Sequence, residues 1–171
     1  MHTSLLHAVP PTTNPLDSSN TENRLYAGIV FDLDGSDGFM PDLVLGVRSL
    51  HVKTNNDVDG ADLSARISYG KHDKSLMFDS ARLVYVGGER DFMGNIGLGY
   101  SNAHSSLIGT AALQGSYSRI GTDFEFGKNK FEPYLEINTL DKPDNVQGSC
   151  PSGYSRYPGG ADDGYCHLPP G

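Results

Sequence analysis

The chain has 171 residues, 37% of them apolar, with 21 Gly, 10 Pro, two Cys and no Trp, a length that holds one domain with tails and no more. Twenty-one Asp and Glu against 13 Lys and Arg leave a formal charge of −8, and without a basic stripe to neutralise phosphates the composition excludes nucleic acid as a partner. No run of 18 apolar residues occurs, which excludes a transmembrane helix but does not bear on a membrane β-barrel, whose strands are short and alternating.

Residues 1–23 are rich in Thr, Ser and Asn and broken by Pro10, Pro11 and Pro15. With no basic or apolar region they do not form a signal peptide and are expected to be irregular. From Arg24 to Leu140 a two-residue alternation recurs, which is the period of a strand with two unlike faces. It runs through Leu25/Ala27/Ile29/Phe31, Leu43/Leu45/Val47 and Ala61/Leu63/Ala65/Ile67/Tyr69, then Ala81/Leu83/Tyr85 and Ile96/Leu98/Tyr100. Leu107/Ala111/Leu113/Tyr117, Ile120/Phe124/Phe126 and Phe131/Leu135/Ile137 complete eight predicted strands. The connectors DGSDGFMP, KTNNDVDG, KHDKS, GGERD, SNAHSS, Gln114 to Ser116 and GKNK are mostly short enough for hairpins. Helical periodicity is absent, so the expected fold is all-β, an antiparallel up-and-down barrel of about eight strands over 24–140.

The last stretch, 141–171, is a Gly/Pro-rich tail that holds both cysteines, Cys150 and Cys166. A disulfide between them would close a loop in a segment with no core of its own and stabilise it by about 3 kcal/mol. It would also place the chain in an oxidising compartment.

Alternation alone does not say which face is inside, but the polar residues help. All six Lys (53, 71, 74, 128, 130 and 142) fall at strand ends, in turns or in the tail, whereas Arg48, Arg66 and Arg82 lie within strands, as do Asp123, Glu125, Glu132 and Glu136. Arg and carboxylates pair in fixed geometry, which suits a narrow polar interior. These seven residues are the expected structural network. Gly97, Gly99, Gly109, Gly115 and Gly121 suit the crowding of a small barrel.

The strand count, the Gly/aromatic runs GNIGLGYS and RIGTDFEF, and the strand-embedded Arg and Glu resemble the small eight-stranded outer-membrane barrels of Gram-negative bacteria. That resemblance implies a non-enzymatic envelope or cell-surface protein, placed in the outer membrane or at the cell surface. Outer-membrane lipid would be one partner, and another copy or another envelope protein, reached through the tails, a second. The absence of Trp, the lack of an aromatic residue closing the last strand and the long tail depart from the pattern. The competing reading is a soluble secreted barrel or sandwich used in adhesion, surface assembly or small-ligand binding.

Two local motifs bear on chemistry. The segment AGIVFDLDGSDG looks like the first motif of haloacid-dehalogenase-type phosphatases, with Asp32 as nucleophile and Asp34 as acid/base, but that family needs a doubly wound α/β sheet and no helices are predicted here. The chain is therefore read as having no catalytic residues and no organic cofactor. DLDGSD is echoed by DVDGAD, so Asp32, Asp34 and Asp37, or Asp57, Asp59 and Asp62, form candidate Ca²⁺ sites, a hard ion that takes oxygen ligands. Asp-Gly is equally ordinary turn chemistry. The six histidines are not spaced as metal ligands or as a triad.

Overall fold

The computed structural model describes residues 19–34, 40–69, 75–146 and 150, together with the backbone of 155–156 and 166–167. Its strands are β1 (Ser19–Asp32), β2 (Asp42–Lys53), β3 (Asp57–Tyr69), β4 (Leu76–Glu89), β5 (Phe92–Ser101), β6 (Ser106–Gly115), β7 (Ser118–Glu125) and β8 (Lys130–Asn138). A two-residue pair, β9 (Ser155–Arg156) and β10 (Cys166–His167), follows. Strands β1 to β8 pair in sequence order, each antiparallel to the next, and β8 returns to β1 to close a barrel. All eight predicted strands are present, and no helix occurs among the described residues.

Several strand limits differ from the sequence reading: residues 87–89, within the expected GGERD connector, belong to β4, and Phe126 lies beyond the end of β7. β1 starts at Ser19, β3 starts at Asp57, within the expected KTNNDVDG connector, and Gln114 and Gly115 belong to β6. Main-chain pairing continues past the point where the apolar alternation stops, so polar strand ends such as Ser19–Asn23 carry no hydropathy signal. The hairpins at that end are consequently tight, with three residues at 54–56 and two each at 90–91 and 116–117. Asn56 and Tyr117 adopt positive φ, 69° and 60°, in these turns, as short hairpin loops require. At the other end the connections are longer, 33–41, 70–75, 102–105 and 126–129.

The alternation divides the barrel wall into two unlike faces. Outward positions carry Leu25, Val47, Leu63, Leu83, Leu98, Gly109, Phe124 and Phe131, which follow one another across register pairs from β1 to β8. No charged side chain stands at an outward position over 25–31, 43–49, 61–69, 81–85, 96–100, 107–113, 120–124 or 131–137. Inward positions include Arg48, Asp62, Arg66, Arg82, Gln114, Arg119, Asp123, Glu125 and Glu136, all buried. The molecule is apolar outside and charged inside.

The turn end is plugged. Leu50, Val52, Val58, Val86 and Met93 form an apolar cluster against which Val146 packs. The segment after β8 crosses this end, burying Leu140 and Pro143, and Arg90 holds it by donating from Nε and Nη2 to the Pro143 carbonyl at 2.9 and 2.8 Å.

The β1–β8 joint is the shortest in the wall. Its register covers Gly28–Asp32 on β1, whereas β1 pairs with β2 from Ser19 to Val30. Beyond that register the following segment contacts β1: the Thr139 amide donates to the Ala27 carbonyl at 3.0 Å, the Arg24 side chain donates to the Asp141 carbonyl at 3.3 Å, and the Asp144 amide donates to the Glu22 carboxylate at 3.1 Å.

Candidate functional site

The barrel interior is arranged in tiers, each built by strands distant in sequence. The central tier is organised by Asp62, which is fully buried. One of its carboxylate oxygens accepts from Arg48 Nε and Nη2 at 3.0 and 2.8 Å and from Arg119 Nη2 at 2.9 Å, and the other accepts from the Tyr26 hydroxyl at 2.8 Å. Arg48 also donates to Gln114 Oε1 at 2.6 Å, Arg119 to Glu136 at 3.3 Å, and Asn138 to Glu136 at 2.6 Å. The Tyr26 ring lies beneath both guanidinium groups at 5.8 and 5.9 Å, within cation–π range. Its cross-strand partner is Gly46, where a Cβ would fall 2.4 Å from Tyr26 Cε1 and force the ring to shift. Four strands, β1, β2, β3 and β7, thus meet around one carboxylate. Charges buried this deeply are tolerable only when each finds its counter-charge and hydrogen bonds.

The next tier pairs Arg82 with Asp123, and the Arg82 guanidinium stacks on Tyr134 at 5.4 Å. Beyond it, Arg66 is met by Asp32 and Asp42, with Asp79 at 3.7 Å. A β-bulge explains Asp79. The β3–β4 register shifts between Arg66 and Ile67, so Arg66 opposes Ser80 and Ile67 opposes Phe78, leaving Asp79 as the extra residue aimed at the guanidinium. Above Arg66 the interior opens into a cavity of about 450 Å³ at the long-loop end, lined by residues such as Asp34, His104, Lys128, Lys130 and Glu132.

All seven residues of the expected network point inward, in separate tiers. Arg48 and Glu136 belong to the central one, Arg82 and Asp123 to the second and Arg66 to the third, while Glu125 and Glu132 stand at the mouth. Of the two candidate calcium sets, Asp57, Asp59 and Asp62 are not brought together, and the first set includes a residue outside the described ones. Asp32 is held by Arg66 and Asp34 lies 2.7 Å from Lys130, and Asp37 is outside the described residues. Asp57 accepts from Asn55 at 2.6 Å and Asp59 lies 3.3 Å from Lys53, whereas Asp62 projects from the opposite face of the same strand, as odd and even strand positions must. The antiparallel barrel does not supply the helix-flanked parallel sheet that the DLDG phosphatase motif needs. No free cysteine occurs among the described residues, but the expected Cys150–Cys166 pairing depends on a Cys166 side chain that lies outside them.

The sequence reading missed Arg119, Tyr26, Asp62 and Gln114 as members of the central tier. Arg119 was within reach, because it shares its strand parity with Asp123 and Glu125. It also passed over His104, whose Nδ1 lies 3.2 Å from Glu125 Oε2. Those two residues are brought together only by pairing of β6 with its neighbours, which no spacing in the chain reveals.

Comparison with protein-family models, with curated proteins and with solved structures gives no significant match.

Proposed function

We propose that the chain is a lipid-embedded β-barrel of a bacterial outer envelope, with a structural or interaction role and no catalytic one. The uncharged outward belt, wrapped around a charged interior, carries this reading. A monomeric soluble protein rarely exposes an apolar patch of more than a few hundred Å², and here the belt continues around the wall. On β3 the outward run Ala61 to Tyr69 covers about 27 Å along the strand, or roughly 20 Å along the barrel axis at a tilt of ~40°, close to the apolar band of known membrane barrels. Phe124 packs against Phe126 and Phe131 at 5.1 and 4.8 Å, with Tyr69, Phe78 and Tyr100 also outward toward the same loop end, where amphipathic and aromatic rings favour the headgroup level. The absence of Trp is offset by these Phe and Tyr residues.

The filled interior supports a structural or interaction role over transport: among the described residues, the Asp62 tier and the apolar cluster of Leu50, Val52, Val58, Val86 and Met93 occupy the lumen below the cavity. Partner contacts, with another copy or another envelope protein, fall to the tails, and a Cys150–Cys166 disulfide belongs with the same oxidising compartment. The test is refolding from denaturant into phospholipid vesicles and detergent micelles. Folding should require one or the other, the unboiled protein should migrate faster on a gel than the boiled one, and planar bilayers should show no conductance steps. A folded monomer in plain buffer would overturn the lipid-embedded reading.

A further inference from the structure

At the rim of the long-loop end, three side chains from three different elements converge outside the interior tiers. His104 comes from the β5–β6 turn, Glu125 from the last position of β7 and Glu132 from the start of β8. One ligand atom from each lies within 4.8 Å of the others. Glu125 is only 1% exposed, and neither of its carboxylate oxygens takes part in a hydrogen bond. Its charge is faced by the His104 imidazole at 3.2 Å and by the Lys128 ammonium at 3.4 Å. A carboxylate desolvated to this degree ordinarily accepts several hydrogen bonds or ligates a metal.

We propose that His104, Glu125 and Glu132 form a binding site for a divalent first-row transition cation, of which zinc is the type. The donor set decides the class. Imidazole with carboxylates suits zinc and its neighbours, whereas calcium and magnesium favour all-oxygen sets. With metal–ligand bonds of about 2.1 Å, tetrahedral donors stand about 3.4 Å apart. The His104–Glu125 edge already has nearly that length. Glu132, a quarter exposed on the rim, closes the remaining gap by a side-chain rotation, and water from the cavity completes the shell. The His104 amide donates to Ser101 Oγ at 3.3 Å and the Gly127 amide to Ser106 Oγ at 3.0 Å, fixing the two turns that bring the ligands together.

Two lysines occupy the same electrostatic position. Lys128 lies against Glu125, and Lys130 bridges Glu132 at 3.3 Å and Asp34 at 2.7 Å. Both are about half exposed and attached by flexible stems, so an arriving cation displaces them into solvent. They act as competitors, which gives the test an arm that a merely structural role would not move.

The experiment is calorimetric titration of the folded full-length chain with Zn²⁺ alone, and with Ca²⁺ as the second probe. It is run in detergent micelles, or in plain buffer if the folded chain proves soluble there, so failure of the lipid reading leaves this test intact. One Zn²⁺ per chain should bind with saturation. His104→Ala should weaken that binding by at least about tenfold, Glu125→Gln should weaken it similarly, and Lys128→Met should strengthen it. Should Glu125→Gln fail to fold, His104→Ala, on an exposed turn, carries the test. No saturable Zn²⁺ binding, equal binding by the His104→Ala chain, or tighter binding of Ca²⁺ than of Zn²⁺ would each overturn the proposal.

Discussion

Leu63 occupies the middle of β3, faces outward with 52% of its surface exposed, and lies between Val47 and Leu83 in the belt. Replacing it with Arg disturbs no interior contact, because its neighbours Asp62 and Ser64 point the other way. Its effect therefore reports only on the medium around the wall. At the midplane of a bilayer, an arginine on the lipid face costs ~2–4 kcal/mol, which is about a 30- to 900-fold loss in the folding equilibrium. In water, the same change at a half-exposed position falls within about 0.5 kcal/mol. The two ranges do not overlap. The assay is denaturant titration of the wild-type and Leu63→Arg chains in phospholipid vesicles, followed by tyrosine fluorescence and heat-modifiable mobility. A difference below about 0.5 kcal/mol in vesicles would refute the assignment of this face to lipid.

Asp62→Ala is expected to destabilise the folded barrel by about 3–5 kcal/mol, because it leaves Arg48 and Arg119 buried with too little counter-charge; a loss under about 1 kcal/mol by the same titration would contradict the Asp62-centred tier. Gly46→Ala should displace the Tyr26 ring and cost roughly 1–3 kcal/mol, and adding Tyr26→Phe to it should cost less than the sum of the single changes, since both act on one contact. Alkylation of the native protein is expected to modify neither Cys150 nor Cys166 until a reductant is added, with mass spectrometry reading two modifications afterwards; modification of both before reduction would remove the disulfide.

The strands were legible because their apolar residues keep a strict period of two across the belt, and the count of eight followed from it. The sidedness was legible through the chemistry of the charges: Arg48, Arg66 and Arg82 share the interior face, while every lysine in the described residues stands at a strand end or beyond it. What the chain could not reveal is which inward groups meet. Asp62 and Arg119 are 57 positions apart and belong to strands that touch only across the lumen, and their pairing depends on closure and on the stagger of the barrel. Asp62 was misplaced with Asp57 and Asp59 for a related reason. DVDGAD reads as one acidic turn, but once the hairpin tightens to 54–56 the segment becomes strand, and its carboxylates part to opposite faces.

The joint between β1 and β8 has a consequence for how the wall is completed. A sheet that closes on itself has one seam between its first and last strands, and here that seam has the fewest register pairs to hold it. The residues that immediately follow β8 reach across to β1 where β8 no longer pairs, with the Thr139 amide on the Ala27 carbonyl and further contacts through the Arg24 and Glu22 side chains. They follow the last barrel strand in the chain, so they reach β1 only where β8 has come round to meet it. A chain lacking only 139–146 would still carry all eight barrel strands, yet it would hold a longer open edge on β1, of the kind that pairs with a neighbour, and the difference between a sealed ring and a sticky ribbon would rest on eight residues that belong to no strand.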